Sequence, residues 1–300
     1  MQSLRPEVEQ RFRELRDGIV AGLQELEGLG ATFRRTAWQR QGGGGGEMSE
    51  LRGELFEKGG CNFSAVWGER YPGVPAAGAQ GEGQVGRAAD AERARVDAAI
   101  GIRPPAAAEL SGKPFFATGV SLVVHPRSPF VPVVHLNVRC LEVGDGETAW
   151  FGGGTDLTPC RPFDEDTRHF HATLRAALGA HGPDHYPRLS AWAKEYFYLA
   201  HRQSERGVGG AFFDYLRSGE PARDLKLALD VGEAFLPAYA PLVERRRGQP
   251  WSEEERAQQL LWRGRYVEFN LVYDRGTIFG LKSGGNVEAI FMSLPPLVAW

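Results

Sequence analysis

The chain has 300 residues, 42% of them hydrophobic, with 35 basic and 38 acidic side chains and a formal charge of −3. That is enough apolar material for a substantial core, which excludes disorder as the main state, and the slight acidity excludes general attraction to nucleic acid or an anionic membrane. Three widely spaced cysteines without a C-x-x-C pattern argue against a disulfide framework or a zinc knuckle, and a polar amino terminus with no apolar run near about eighteen residues leads us to expect a soluble cytoplasmic protein without an integral membrane segment.

Glu7 to Leu26 places Val8, Phe12, Leu15, Ile19, Leu23 and Leu26 at intervals of three or four, which predicts an amphipathic helix ending near Gly28. A strand is predicted over Ala31 to Gln39. The glycine run Gly42 to Gly46 then reads as a flexible linker or as a loop whose backbone approaches something closely, and it lacks the Gly-Lys-Ser/Thr ending of a phosphate-binding loop. Leu51 to Trp67 reads as strand. Residues 71–110, rich in Ala, Gly, Pro, Gln and Glu, read as a surface insertion with a short helix over Ala88 to Ile100.

Gly119 to Arg139 predicts a β-hairpin, reversed at Pro126-Arg127-Ser128-Pro129. Side chains alternate between the faces of a strand, so Val134, Leu136 and Val138 share one face while His135, Asn137 and Arg139 share the other. Ser121, Val123 and His125 align likewise on the first strand. A hairpin burying one apolar face therefore presents hydroxyl, imidazole, amide and guanidinium groups together on its other face, although a wetted sheet surface reads the same way.

Helices are predicted from Asp164 to Leu178, from Ser190 through Tyr198 to Arg202, and over Leu225 to Arg245, with Asp164 and Ser190 as candidate caps. Three strand-like runs follow: Arg265 to Tyr273, Thr277 to Lys282 and Val287 to Ser293. Strands early and late with helices between predict an α+β fold in a single domain, one large antiparallel sheet covered by helices.

Seven histidines occur, of which His125, His135, His171 and His201 lie in segments that could converge on a divalent metal. Their spacing matches no tight metal motif, and isolated histidines are commonly structural. His169 is about 200° around a helix from His171 and cannot share its site. Arg263, Arg265 and Arg275 flank a predicted strand on which Glu268, Asn270 and Asp274 share a face, a pattern that suits carboxylate binding or a salt-bridged edge. Gly152-Gly-Gly154 before Asp156 misses the dinucleotide-binding spacing, and no nucleophile elbow is visible.

Several blocks taken together resemble the oxygen-dependent coproporphyrinogen III oxidases. They are Trp38-Gln-Arg-Gln-Gly-Gly-Gly-Gly, Phe56-Glu-Lys-Gly-Gly-Cys-Asn-Phe-Ser64, the hairpin, Trp150-Phe-Gly-Gly-Gly-Thr-Asp-Leu-Thr-Pro159 and Tyr196-Phe-Tyr-Leu-Ala-His-Arg202. Gly207 to Asp214, Arg263 to Thr277 and Met292-Ser-Leu-Pro-Pro296 continue the likeness. The resemblance implies an oxidoreductase of porphyrin and haem biosynthesis that converts two propionates of coproporphyrinogen III to vinyl groups, with O2 as co-substrate and no organic cofactor. It implies a flat antiparallel sheet with helices on both faces, one domain over 1–300, and a homodimer with residues 266–300 in its contact. His135 would donate a proton, and Asp274 and Arg275 would hold pyrrole N–H groups and a propionate. Ser121, Asn137, Val138 and Arg139 would contact substrate, as would Gly284, Gly285 and Asn286. Asn286 stands where the family usually carries Arg, which puts that contact in doubt. His125, His135, His171 and His201 match positions assigned to a divalent metal in some bacterial members. Two other readings remain: a tetrapyrrole-binding protein without turnover, and another metal-dependent oxygenase.

Overall fold

The structure, a computed structural model, describes residues 4–28, 31–73 and 94–300. Seven strands form one antiparallel sheet in the order β1-β2-β3-β4-β5-β6-β9, comprising Arg34–Gln39, Gly44–Leu51, Phe56–Gly68, Phe115–Pro126, Val133–Val143, Thr148–Thr158 and Gly210–Leu216. The first six are neighbours in chain order, joined by short antiparallel reversals except between β3 and β4, which residues 69–114 separate in the sequence. A two-stranded ribbon, β7 (Tyr198–Leu199) and β8 (Ser204–Glu205), lies apart from this sheet.

Period-two alternation sorts the sheet's faces. Phe63, Val120, Leu122, Val134, Leu136 and Val138 are all fully buried in the main core. Against them pack α1 (Arg5–Glu27), α4 (Asp164–Gly179), α6 (Pro221–Glu233) and α7 (Phe235–Arg246), with α1 contributing Val8, Phe12, Ile19 and Leu23 from one stripe. Each such fully buried aliphatic side chain contributes about 1.5–3 kcal/mol. The opposite face is covered by α8 (Glu253–Val272), α9 (Arg275–Lys282) and α10 (Val287–Phe291), while Tyr266 of α8 packs on Val123 and Val133. The expected α+β architecture with helices on both faces is therefore present.

The carboxy-terminal third departs from expectation. The strand-like runs over Arg265 to Ser293 are helices α8, α9 and α10, so residues 266–300 supply no strands to any interface. A capping box starts α8, with Ser252 Oγ accepting the Glu255 backbone N–H and the Glu255 carboxylate accepting that of Ser252. Helical geometry also separates Glu268 from Asn270 by about 200°, so these two do not share a face. Glu268 instead accepts Arg202 and His201 near the surface, whereas Arg263 is buried and paired with Glu57.

Other boundaries shift as well. The glycine run makes a turn with positive φ at Gly43 and Gly44, and then enters β2, so it is strand and not linker. Ser190 lies inside α5 (His185–Tyr196), Asp164 is the first residue of α4 without a side-chain cap, and the predicted Leu225–Arg245 helix is divided at Ala234. Of the expected insertion, 74–93 lies outside the described residues. Its later part is docked: residues 94–99 are helical (α2), Ile100 and Ile102 are buried, Ile102 bridges to Leu216, and Asp97 pairs with Arg188. A short helix, α3 (Ala107–Leu110), leads into β4.

Candidate active site

The odd-numbered residues of β4 and β5 that face away from the main core meet α8, α9 and α10 across a cavity of about 240 Å³. Ser121, His135, Asn137 and Arg139 line it, on the face opposite Val134, Leu136 and Val138. Strand register arranges its floor in rows. Asn62, Ser121, Asn137 and Gly154 lie side by side, as do Gly119, Arg139 and Gly152, and Val123, His135 and Asp156. Directly opposed residues share a face, so register alone brings Asp156 beside His135.

Asp156 Oδ1 accepts from His135 Nδ1 at 3.0 Å and from Arg206 Nη2 at 2.5 Å, while Oδ2 accepts from Arg206 Nε at 3.2 Å and Thr158 Oγ1 at 3.3 Å. A carboxylate can only accept, so His135 carries its proton on Nδ1 and leaves Nε2 as the second functional nitrogen of a cavity-lining ring. Burial alone would raise the Asp156 carboxyl, but the Arg206 charge and the His135 bond outweigh it and hold the pKa below the usual carboxylate range. Arg206 is itself buried, with its guanidinium over the rings of Phe197, Tyr266 and Phe269 at 4.2–4.7 Å from their centroids.

The opposite wall begins at α9. Asp274 is its N-cap: Oδ2 accepts from Thr277 N and Thr277 Oγ1, both at 2.8 Å, and Oδ1 accepts from the Tyr196 hydroxyl at 3.1 Å. Burial and then the Asp274 charge raise the Tyr196 phenol, which stays a neutral donor. Arg275 donates to the Tyr215 hydroxyl at 2.5 Å and pairs with Asp214 at 3.2 Å, while its Nε is buried without a partner. Arg139 donates to Asn137 Oδ1 at 2.8 Å and pairs with the same Asp214 at 3.1 Å. Val66, Ala117, Leu141, Trp150 and Phe279 make an apolar end, where Trp38 Nε1 is a second buried donor without a partner. The cavity thus combines an apolar surface, three guanidinium groups (Arg139, Arg206 and Arg275), one imidazole and two carboxylates (Asp214 and Asp274), suited to an anionic, largely apolar molecule bearing N–H donors.

Among the expected contacts, Ser121, His135, Asn137, Arg139, Asp274, Arg275, Gly285 and Asn286 line this cavity. Val138 presents its side chain to the main core, because it falls on the other parity of β5. Gly284 is not in the lining, and Asn286 accepts the Ala289 N–H as the N-cap of α10. Asp156, Tyr196, Arg206, Asp214 and Tyr215 also line or support the cavity but carried no role in the sequence reading. The period-two placement of Phe212 and Asp214 on one face of β9, opposite Phe213, was the available signal for Asp214, and it gains meaning only once β9 is paired with β6.

The four histidines do not fit one metal donor set. Among the described residues no three His, Cys, Asp or Glu side chains are placed to hold a metal ion. The Val208 carbonyl accepts from His171 Nε2, so its Nδ1 must accept the Tyr186 hydroxyl proton, and His201 is engaged in the same way by Glu268 and Tyr273. Both rings lack a free lone pair. His125 is fully buried, giving its Nε2 proton to Ser293 O at 2.8 Å, with Nδ1 unpartnered.

Burial, reinforced by Arg263, pushes the His125 imidazole down to about 3. Unfolded, such a ring titrates near about 6.5. The folded state therefore binds fewer protons below that pH, so this contribution to stability is full above about 6.5 and is lost as pH falls toward 3, at up to about 1.4 kcal/mol per pH unit. His171 and His185 are also lowered, chiefly by burial, and act in the same direction. The stability difference between wild type and His125→Gln, from urea unfolding, should therefore shrink by about 1–2 kcal/mol between pH 7 and pH 5. A constant difference would show that His125 does not titrate in this way.

A family model described as Coproporphyrinogen III oxidase matches residues 7–300, nearly the whole chain.

Proposed function

The chain belongs to the coproporphyrinogen III oxidase family, and from that membership we propose that it decarboxylates two propionates of coproporphyrinogen III oxidatively, using O2 and yielding protoporphyrinogen IX. Family membership places it in porphyrin and haem biosynthesis as an oxidoreductase. For each propionate, –CH2CH2COO⁻ with O2 and one proton becomes –CH=CH2, CO2 and H2O2. The substrate loses a C–H and a C–COO bond, and its electron pair reduces oxygen to peroxide.

The observation that carries this reading is the convergence of Asp274, Arg275, Arg139 and His135 on one cavity floored by the polar hairpin face. A porphyrinogen is electron-rich at its pyrroles, and a carboxylate accepting a pyrrole N–H increases that richness as positive charge develops on the ring. Asp274 serves as that acceptor. Arg139 and Arg275 take substrate carboxylate by forked hydrogen bonds, which fixes the reacting side chain. His135, held at Nδ1 by Asp156, supplies or collects a proton at Nε2. Apolar Trp150, Leu141 and Phe279 exclude water beside the ring.

Anaerobic enzyme and coproporphyrinogen III, then exposed to oxygen with and without EDTA, provide the test. The expected result is divinyl product only after oxygen enters, in equal amount with the chelator. No product in either arm would leave a binding protein, and loss only with EDTA would establish a metal requirement that the histidine geometry does not support.

We also propose a homodimer through the carboxy-terminal region. Leu271, Val272, Leu281, Val287, Leu297 and Trp300 are exposed there, an apolar surface of the kind subunit contacts cover. Sedimentation at micromolar concentration checks this, and a monomer would refute it. No helix among the described residues is long and apolar enough to cross a membrane.

A further inference from the structure

One carboxylate, Asp214, lies between two of the three guanidinium groups that line the cavity, those of Arg139 and Arg275. Asp214 on β9 is 3% exposed, and its Oδ2 lies 3.1 Å from Arg139 Nη2 and 3.2 Å from Arg275 Nη1. Its Oδ1 accepts the Tyr215 backbone N–H at 3.0 Å, and Tyr215 sits at φ 55, a strained value for a residue with a side chain. The Tyr215 hydroxyl then accepts from Arg275 Nη2. Asp214 and its neighbour thereby hold two edges of Arg275 and one of Arg139.

The facing strand leaves room for this arrangement. A Cβ on Gly152 would come within 2.7 Å of Asp214 Oδ1 and within 2.9 Å of Arg139 Nε and Nη2. Gly152 is thus required by the close approach of the ion pair, a use of the glycine triplet unrelated to nucleotide binding.

Two cations sharing one anion retain one positive charge. Both arginines line the cavity, whereas a purely structural pair would need only one of them. We propose that Asp214 is a positioning residue, a resident carboxylate that fills the inner seat of the arginine pair, turns both forks toward the cavity, and stops the substrate's carboxylate at the outer seat. This rests on the reading of the cavity as a site for a tetracarboxylate macrocycle. Like-charge repulsion from Asp214 keeps a substrate carboxylate from moving inward, so Asp214 sets how far the reacting propionate lies from Asp274 and His135. Its loss should improve binding while impairing turnover, the opposite of what loss of an ordinary structural contact does to binding.

Asp214→Asn preserves shape and an acceptor for the Tyr215 N–H but removes the charge. With coproporphyrinogen III, KM is expected to fall at least about threefold while kcat falls at least about tenfold, because carboxylate now enters the inner seat unproductively. A KM that is unchanged or raised overturns the proposal. Should that variant fold poorly, Asp214→Ala provides the second arm: formate, which can refill the seat as an anion, is expected to restore kcat, and formamide is not. Equal effects of the two additives, or none, overturn it. Equilibrium binding of coproporphyrin III to wild type and to Asp214→Asn, read by fluorescence, requires no turnover. If wild type binds but does not react, the proposed reaction fails, while tighter binding by the variant still supports Asp214's seat.

Discussion

Asp274→Ala is expected to lower kcat/KM for coproporphyrinogen III by about 10²–10³-fold, the loss of about 2.7–4 kcal/mol that removal of one preorganised charge-stabilising group produces. The geometry explains why this carboxylate is poised. Two oxygens offer about four acceptor sites; Thr277 occupies two through Oδ2, and Tyr196 occupies one on Oδ1. The remaining site, on Oδ1, is available to a pyrrole N–H. The same residue caps α9, so the alanine variant should also lose about 0.5–2 kcal/mol of stability. Asp274→Asn separates the two roles. Asparagine caps a helix well, so with its oxygen turned to Thr277 it presents NH2 to the cavity. It should retain most of the stability and still lose most of the activity. An alanine variant within about threefold of wild type, under about 0.7 kcal/mol in the barrier, would remove Asp274 from the chemistry.

Arg206→Met should cost about 3–5 kcal/mol of folding stability, because it leaves Asp156 charged, 1% exposed and without its strongest partner. Arg206 also loses its place over three aromatic rings. Urea-unfolding midpoints measure the effect. Replacing both partners, in Arg206→Met with Asp156→Leu, should restore much of the stability, since apolar side chains can substitute for a buried ion pair. It should not restore turnover, because His135 then has no acceptor on Nδ1 to fix its tautomer. A double variant as unstable as the single one would mean that packing of the guanidinium, rather than the orphaned carboxylate, sets the cost.

The floor of the site was legible in the sequence because alternation in a strand is local. Val134, Leu136 and Val138 against His135, Asn137 and Arg139 decide the faces without knowledge of any partner strand. The same rule, applied consistently, would have kept Val138 out of direct side-chain contact. The carboxy-terminal wall was not legible, because Tyr266, Val267, Phe269, Val272 and Tyr273 favour strands by side-chain type. Ser252 and Glu255 had already set a helix running, and burial at Gln259, Arg263, Tyr266, Val267 and Asn270 follows its turns. Convergence from distant segments carries no local signal. Four histidines near family motifs suggested one metal set, whereas two of the rings are occupied, His171 by the Tyr186 hydroxyl and the Val208 carbonyl and His201 by the Tyr273 hydroxyl and the Glu268 carboxylate. Asp214 was invisible for the complementary reason: its two arginines lie about 60 to 75 residues away, one before it and one after.

The most direct measurement is a crystal structure of the protein with coproporphyrin III, a stable tetracarboxylate with the substrate's side chains. The ring is expected over Ser121 and Asn137, with one propionate at Arg139 and Arg275 and a pyrrole nitrogen facing Asp274 Oδ1. A porphyrin bound elsewhere, with this cavity closed to it, would contradict the assignment of the hairpin face as the macrocycle's floor.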